Sequence, residues 1–270
     1  MAETGPLPQP AHHCGAGLPS LPDEIDPSLA KRIRKAAAEQ RIAIKAVSGT
    51  FNMIHPDAKQ RRDGLHKLSI IAGACEPLGT RMITLCTGTR DTENMWRHHP
   101  QNDSPEAWRD LLVSMTKALT IADKFDLSLG VEPETGNVVS SAQHARRLLN
   151  ELRSPRLKIV IDPANLFHPA DLPRMDEIMD EAFDLLGGDI AMAHAKELGA
   201  DGHAGSLPLG SGVLASRAAA PSVGAKSAEP KSPRFTPSTK AWTAHDASGS
   251  SAGPASSMPT SRSCGSGLPR

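Results

Sequence analysis

Three side chains able to grip a cation stand at comparable places in the chain. Glu132 follows Leu129-Gly130-Val131, Asp162 follows Ile159-Val160-Ile161, and His194 follows Ala191-Met192-Ala193. Each ends a short apolar run, and the runs are spaced about 30 residues apart, the repeat of a β/α unit. If those runs are neighbouring parallel strands, their carboxyl ends converge and the three groups share one pocket. Two carboxylates and an imidazole suit a divalent cation, and the oxygen-rich set favours Mn²⁺ or Mg²⁺ over Zn²⁺. Each residue also has a plainer reading alone: Asp162 before Pro163 as a turn residue, Glu132 as a loop acid, His194 as a hydrogen-bonded structural side chain. Recurrence at three successive strand ends is what selects the metal reading.

The elements that must position these groups are legible between residues 21 and 205. Asp26-Pro27 is an N-cap and first-turn pair, followed by Leu29, Ile33, Ala36 and Ala37 at helical spacing. The β-branched and Ala-rich run from Ile42 to Val47 predicts a buried strand. A second helix carries Leu65, Leu68, Ala72 and Cys75 on one face and stops near Pro77 and Gly79. Met82 to Cys86 is the next strand, and the polar stretch from Thr87 to Asp103 is long enough to be a functional loop. Ser104 caps a helix with a stripe of Trp108, Leu111, Leu112, Met115, Leu119 and Ala122, and Leu127 to Val131 follows as strand. Ser140 and Gln143 predict a capping box before Ala145, Leu148, Leu149 and Leu152. Leu157 to Ile161 is a strand, and Met175, Ile178, Met179, Ala182, Phe183 and Leu186 stripe a helix that Gly187-Gly188 ends. Ile190 to Ala193 is the last strand. Five nearly all-apolar strands alternating with helices predict an α/β fold with a parallel sheet under helices. Periodicity alone leaves an open doubly wound sheet and a closed barrel as alternatives, and no glycine-rich phosphate fingerprint follows any strand.

Composition bounds the rest. The 270 residues carry 30 Lys+Arg and 30 Asp+Glu, so the basic footprint of a nucleic-acid binder is absent. No run of about 18 apolar residues is present to span a membrane, and the N-terminus has no secretory-signal order, so a cytoplasmic protein is expected. Four scattered cysteines without a C-x-x-C indicate neither a disulfide framework nor a zinc ribbon. Residues 1–20 read as irregular. Residues 206–270, dominated by Ser, Ala, Pro and Gly and bearing seven basic and two acidic groups, read as a disordered tail.

The segments Val47-Ser-Gly-Thr-Phe-Asn-Met-Ile-His-Pro56, Ile83-Thr-Leu-Cys-Thr-Gly-Thr-Arg-Asp91 with Met95-Trp-Arg-His-His-Pro100, Gly130-Val-Glu-Pro-Glu134, Ile161-Asp-Pro-Ala-Asn165 and Ala193-His-Ala-Lys-Glu197 resemble the sugar phosphate isomerase/epimerase family with the xylose isomerase-like TIM barrel. The resemblance runs from about Leu18 to Gly205. It implies a (β/α)8 barrel of which strands three to seven are recognisable. It implies a metal held by Glu132, Asp162 and His194, and proton transfer by Glu132 through an enediolate on a sugar or sugar phosphate. By the same likeness Asn165 contacts substrate, Glu134 and Glu197 are candidate substrate residues, and His55, Trp96, His98 and His99 lie in loops overhanging the mouth. His98 and His99 read equally well as a solvated loop pair, Trp96 as packed against the helix at Ser104, and His55 as the end of a loop.

The chain departs from the family at both ends. No apolar run before Asp26 supplies strands one and two, and none after Gly205 supplies strand eight with its terminal Glu, the family's fourth ligand. The expected cause is truncation or a change of reading frame. Loss of a second acid/base group costs about 10² to 10⁴ in rate, so weak activity is expected. Open sheet edges make a homo-oligomer plausible. A metal-dependent abasic-site endonuclease and an inactive barrel remnant are the alternative readings. The endonuclease would need more His ligands and a basic groove, whereas the part before the tail is mildly acidic.

Overall fold

The structure is a computed structural model that describes residues 21–202, 204, 205 and 207–214. The expected irregular N-terminal segment, with Cys14, and most of the Ser-, Ala-, Pro- and Gly-rich tail lie outside the described residues. Five strands, β1 (Val47–Ser48), β2 (Met82–Leu85), β3 (Ser128–Val131), β4 (Leu157–Ile161) and β5 (Ile190–Ala193), pair in parallel in chain order. Sequential order throughout is that of a barrel wall, and it removes the doubly wound alternative, whose strand order reverses. Among the described residues β1 and β5 are the edges.

Five helices alternate with the strands: α1 (Pro27–Glu39), α2 (Ala58–Leu78), α3 (Pro105–Phe125), α4 (Ala142–Leu152) and α5 (Met175–Leu186). Their starts follow local chemistry. Asp26 accepts from the Ser28 N–H at 2.8 Å, Asp57 from that of Lys59 at 2.7 Å, and Ser104 from that of Ala107 at 3.1 Å. α2 stops where Gly79 takes φ 84°, a left-handed cap that costs glycine nothing. No helix among the described residues is long and apolar enough to cross a membrane.

Strand pairing divides the side chains into two sets. Ile83, Leu85, Leu129, Val131, Leu157, Ile159 and Ile161 turn outward and are buried beneath the helices, against Leu68, Leu111, Met115 and Leu148. Residues of the opposite parity, such as Met82, Gly130 and Val160, face the barrel interior, where a side-chain carbon on Gly130 would lie 2.4 Å from Met82 Cε and 2.6 Å from Val160 Cγ2. Gly64 in α2 is a comparable close approach. A methyl there would lie 2.2 Å from Phe51 Cδ2. Gly64→Ala is therefore expected to destabilise by about 1–3 kcal/mol through overpacking, despite a helix-propensity gain of about 1 kcal/mol. A urea unfolding midpoint reads the sign.

Three expectations are corrected. The strand expected over Ile42 to Val47 shrinks to Val47–Ser48, because an edge strand finds partners only at Ile83 and Thr84, and Ile42 is left 56% exposed. The cap of α4 is Ser141, whose Oγ accepts from the His144 N–H at 3.3 Å, while Ser140 Oγ pairs with His144 Nδ1 at 3.1 Å. In α5 the apolar stripe is only partly covered. The helix packs chiefly on α4, and Phe183 stays exposed.

The chain also packs beyond Gly205. Val213 and Leu214 lie against the core, and the Val213 N–H donates to the Leu198 carbonyl at 2.8 Å.

Candidate metal centre

Parity places the three ligand candidates on the interior face. Glu132 is two residues beyond Gly130, and Asp162 two beyond Val160. His194 reaches the same face through an irregularity. β5 pairs with β4 as Ile159↔Ile190, then Val160↔Met192 and Ile161↔Ala193, so one extra residue, Ala191, is accommodated between the first two pairs. Without that bulge the parity of β5 would be reversed, and His194 would turn outward among the helices. With it, the His194 N–H donates to the Ile161 carbonyl at 2.8 Å and the imidazole stands beside Asp162.

Glu132, Asp162 and His194 each offer a ligand atom within 4.8 Å of the others. Among the described residues they form the one such group of three or more His, Cys, Asp or Glu side chains. His194 Nδ1 lies 3.1 Å from Glu132 Oε2 and 4.0 Å from Asp162 Oδ2. Asn165 donates through Nδ2 to Glu132 Oε1 at 2.6 Å. Asp162 is fully buried, and although Lys196 Nζ is 2.8 Å from its Oδ2, that contact is an ion pair without a directed hydrogen bond. A buried carboxylate oxygen lacking a directed donor, facing a second acid and an imidazole, fits a divalent cation with oxygen-rich ligation.

The electrostatics separate the two acids. Burial pushes Glu132 up, but its hydrogen bond to His194, the charges of His194 and Lys196, and the Asn165 donor outweigh it and hold the carboxyl below its ordinary range. For Asp162 burial wins over the Lys196 charge, and the group is raised. Glu134, two residues beyond Glu132, is pushed up to about 7 by burial and then by the Glu132 charge. The Cys86 thiol beside it is raised well above the ordinary thiol range by burial and then by Glu132 and Glu134.

The other candidates are distributed unevenly. Asn165 joins the cluster. Trp96 is 42% exposed and His98 exposed on the loop after β2, whose backbone crosses the β3 loop so closely that a side-chain carbon on Gly136 would lie 2.4 Å from the Trp96 carbonyl oxygen. His99 Nδ1 accepts from the Gln101 N–H at 3.2 Å, ending that loop. His55 Nδ1 accepts from the Asp57 N–H at 3.1 Å and lines a cleft with Leu21, Asp23, Asn52 and His66. Glu197 is buried and turned away from the cluster. Its Oε1 accepts from Leu198 and Leu214 N–H at 3.2 and 3.1 Å, and its Oε2 from Gly210 N–H at 2.9 Å. Lys196 is the site residue that sequence reading passed over. The signal was available, since in extended chain it falls two residues beyond His194 and so on the same side.

Asp91 ties down the long loop. It accepts from the Glu93 and Asn94 N–H groups, each at 2.9 Å, and pairs with Arg97, which holds its carboxyl far below the ordinary range. A depressed carboxylate contributes stability that is full above its unfolded pKa of about 3.9 and is lost as pH falls through the folded value. The protection factors of amides in residues 91–97, exchange being compared with that of an unstructured chain at the same pH, are therefore expected to fall below about pH 4, and Asp91→Asn to flatten that dependence.

Residues 10–221 match the profile of a family described as Xylose isomerase-like TIM barrel. Solved structures of similar fold include 3-keto-D-glucoside 4-epimerase from E. coli, at 17% identity and TM-score 0.50, with 63% of this chain and 66% of that one covered. D-allulose 3-epimerase from Methylomonas sp., in complex with D-allulose, matches at 15% identity and TM-score 0.53, covering 70% and 61%. A xylose isomerase-like TIM barrel protein from Mycobacterium smegmatis, in complex with magnesium, matches at 14% identity and TM-score 0.53, covering 70% and 65%. The chain thus spans less than two thirds of the length of each, and at these identities the likeness is one of fold. Comparison with curated protein sequences returns no significant match.

Proposed function

Because the chain belongs to the xylose isomerase-like TIM barrel family, we propose that it is a metal-dependent sugar isomerase or epimerase, moving a proton on the carbon beside the carbonyl of a sugar or sugar phosphate. The observation that carries the proposal is the convergence of Glu132, Asp162 and His194 ligand atoms within 4.8 Å. These three would hold a divalent cation, Mn²⁺ or Mg²⁺ by donor type, which when bound supplies Lewis acidity toward carbonyl and hydroxyl oxygens. Glu132 is the proton carrier. Asn165 holds one of its oxygens and His194 the other, so the carboxylate is oriented before substrate arrives. Asn165 and Glu134 beside the cluster, with Trp96 and His98 on the loop above, are the proposed sugar contacts. An exposed indole face suits the C–H surface of a sugar ring. His55 and Glu197 are left out, because their side chains are engaged by backbone N–H groups elsewhere.

The test is solvent exchange. In D₂O with Mn²⁺, the protein is expected to place deuterium on the carbon next to the carbonyl of at least one ketopentose, ketohexose or corresponding phosphate, seen by proton NMR. A protein that binds Mn²⁺ and labels none of them is an inactive barrel, and the proposal is then wrong.

A further inference from the structure

The ligand cluster already contains a positive charge supplied by the chain. Lys196 Nζ lies 2.8 Å from Asp162 Oδ2 and 3.6 Å from Glu132 Oε1, so one ammonium group serves the two acids that would hold a metal. Those acids are almost wholly buried, at 0% and 8% side-chain exposure, and without a cation their mutual repulsion and lost hydration would be offset only in part, by the Asn165 and His194 contacts to Glu132. The lysine itself is not locked in. Its side chain is 33% exposed, and its contact with Asp162 lacks hydrogen-bond direction. Arg90 shows the contrast. Its guanidinium is 8% exposed and clamped by the Ile54 carbonyl and Asp110, each at 2.8 Å. A flexible four-carbon stem at a partly open mouth lets an ammonium group swing into water, where it is strongly hydrated.

We infer that Lys196 is the resident counter-ion of this centre, and that a divalent cation enters by exchange with its ammonium group. The inference rests on the reading of Glu132, Asp162 and His194 as metal ligands. A cation touching Asp162 Oδ2 and Glu132 would sit within a few ångströms of Nζ, and like charges so close in a poorly solvated pocket exclude each other. The arrangement keeps the acidic pair in place before metal arrives and lowers the affinity for metal by the cost of releasing the lysine. Its signature is a pair of opposite effects. Removing the ammonium group weakens the metal-free protein and strengthens metal binding, whereas a lysine that merely braced the ligands would, on removal, weaken both.

The experiment uses the full chain with Lys196→Met and Lys196→Arg. Mn²⁺ binding is followed by electron paramagnetic resonance of the free ion, and thermal unfolding is measured in chelator. The expected result is about tenfold or more tighter Mn²⁺ binding by Lys196→Met, together with a lower melting temperature in chelator, and near-native values for Lys196→Arg. Lys196→Gln, neutral but polar, replaces the methionine variant if that fails to fold. Equal or weaker Mn²⁺ binding by the neutral variants overturns the exchange while leaving the metal centre standing. Absence of Mn²⁺ uptake by wild type and neutral variants alike overturns both.

Discussion

Glu132→Gln is expected to abolish the proposed isomerase activity, lowering the rate by about 10² to 10⁴, the range for loss of one acid/base group. It should also weaken Mn²⁺ binding by more than the roughly 10- to 100-fold that loss of an outer-shell partner costs, because a proposed ligand itself is removed. Glutamine keeps an oxygen to accept from Asn165, so the local packing has a substitute, but it has no charge to pair with His194 or Lys196. The fold should survive, with unchanged far-ultraviolet circular dichroism. Measuring solvent exchange and metal titration together distinguishes the two roles proposed for this residue. Retained exchange activity in the variant would remove Glu132 as proton carrier, and retained metal affinity would remove it as ligand.

The second large effect concerns Glu197, and it falls on stability. Its carboxylate gathers N–H groups of Leu198, Gly210 and Leu214. Burial pushes its pKa up, but donors from Gly210, Leu198, Leu214 and Gly212 outweigh burial and leave it below the ordinary value. Glu197→Ala should cost about 1–3 kcal/mol, the penalty for leaving buried donors unmade, moderated because exposed Gly210 can turn its N–H to water. Hydrogen exchange should rise at Gly210 and Leu214 while the strands stay protected. A residue that contacted sugar instead would leave that exchange pattern untouched and change KM.

Lys196 and Glu197, neighbours in a five-residue motif, illustrate how differently sequence and structure speak. Ala193-His-Ala-Lys-Glu197 reads as a ligand followed by polar companions, and one-dimensional spacing does not separate Lys196, turned into the cluster, from Glu197, turned out of it. Alternation along extended chain does separate them once the face of His194 is known, and that face depends on the bulge at Ala191. Capping residues Asp26 and Ser104 were legible because a cap is decided within three or four residues. The cap of α4 slipped by one residue, to Ser141, because two adjacent serines both satisfy the local rule and only the helix entry geometry chooses between them. The run from Ile42 to Val47 has strand composition, but strand length is set by partners, and β1 has one neighbour.

The amino-acid order alone determined that apolar strands alternate with amphipathic helices, and that a carboxylate, a second carboxylate and an imidazole close three of those strands. Both follow from periodicity and hydrophobicity over a few residues, which local physics reads directly. Tertiary structure decided that the three face one pocket, that Lys196 shares it and that Glu197 does not. Those outcomes depend on register between strands distant in sequence, where one inserted residue turns every following side chain to the other face.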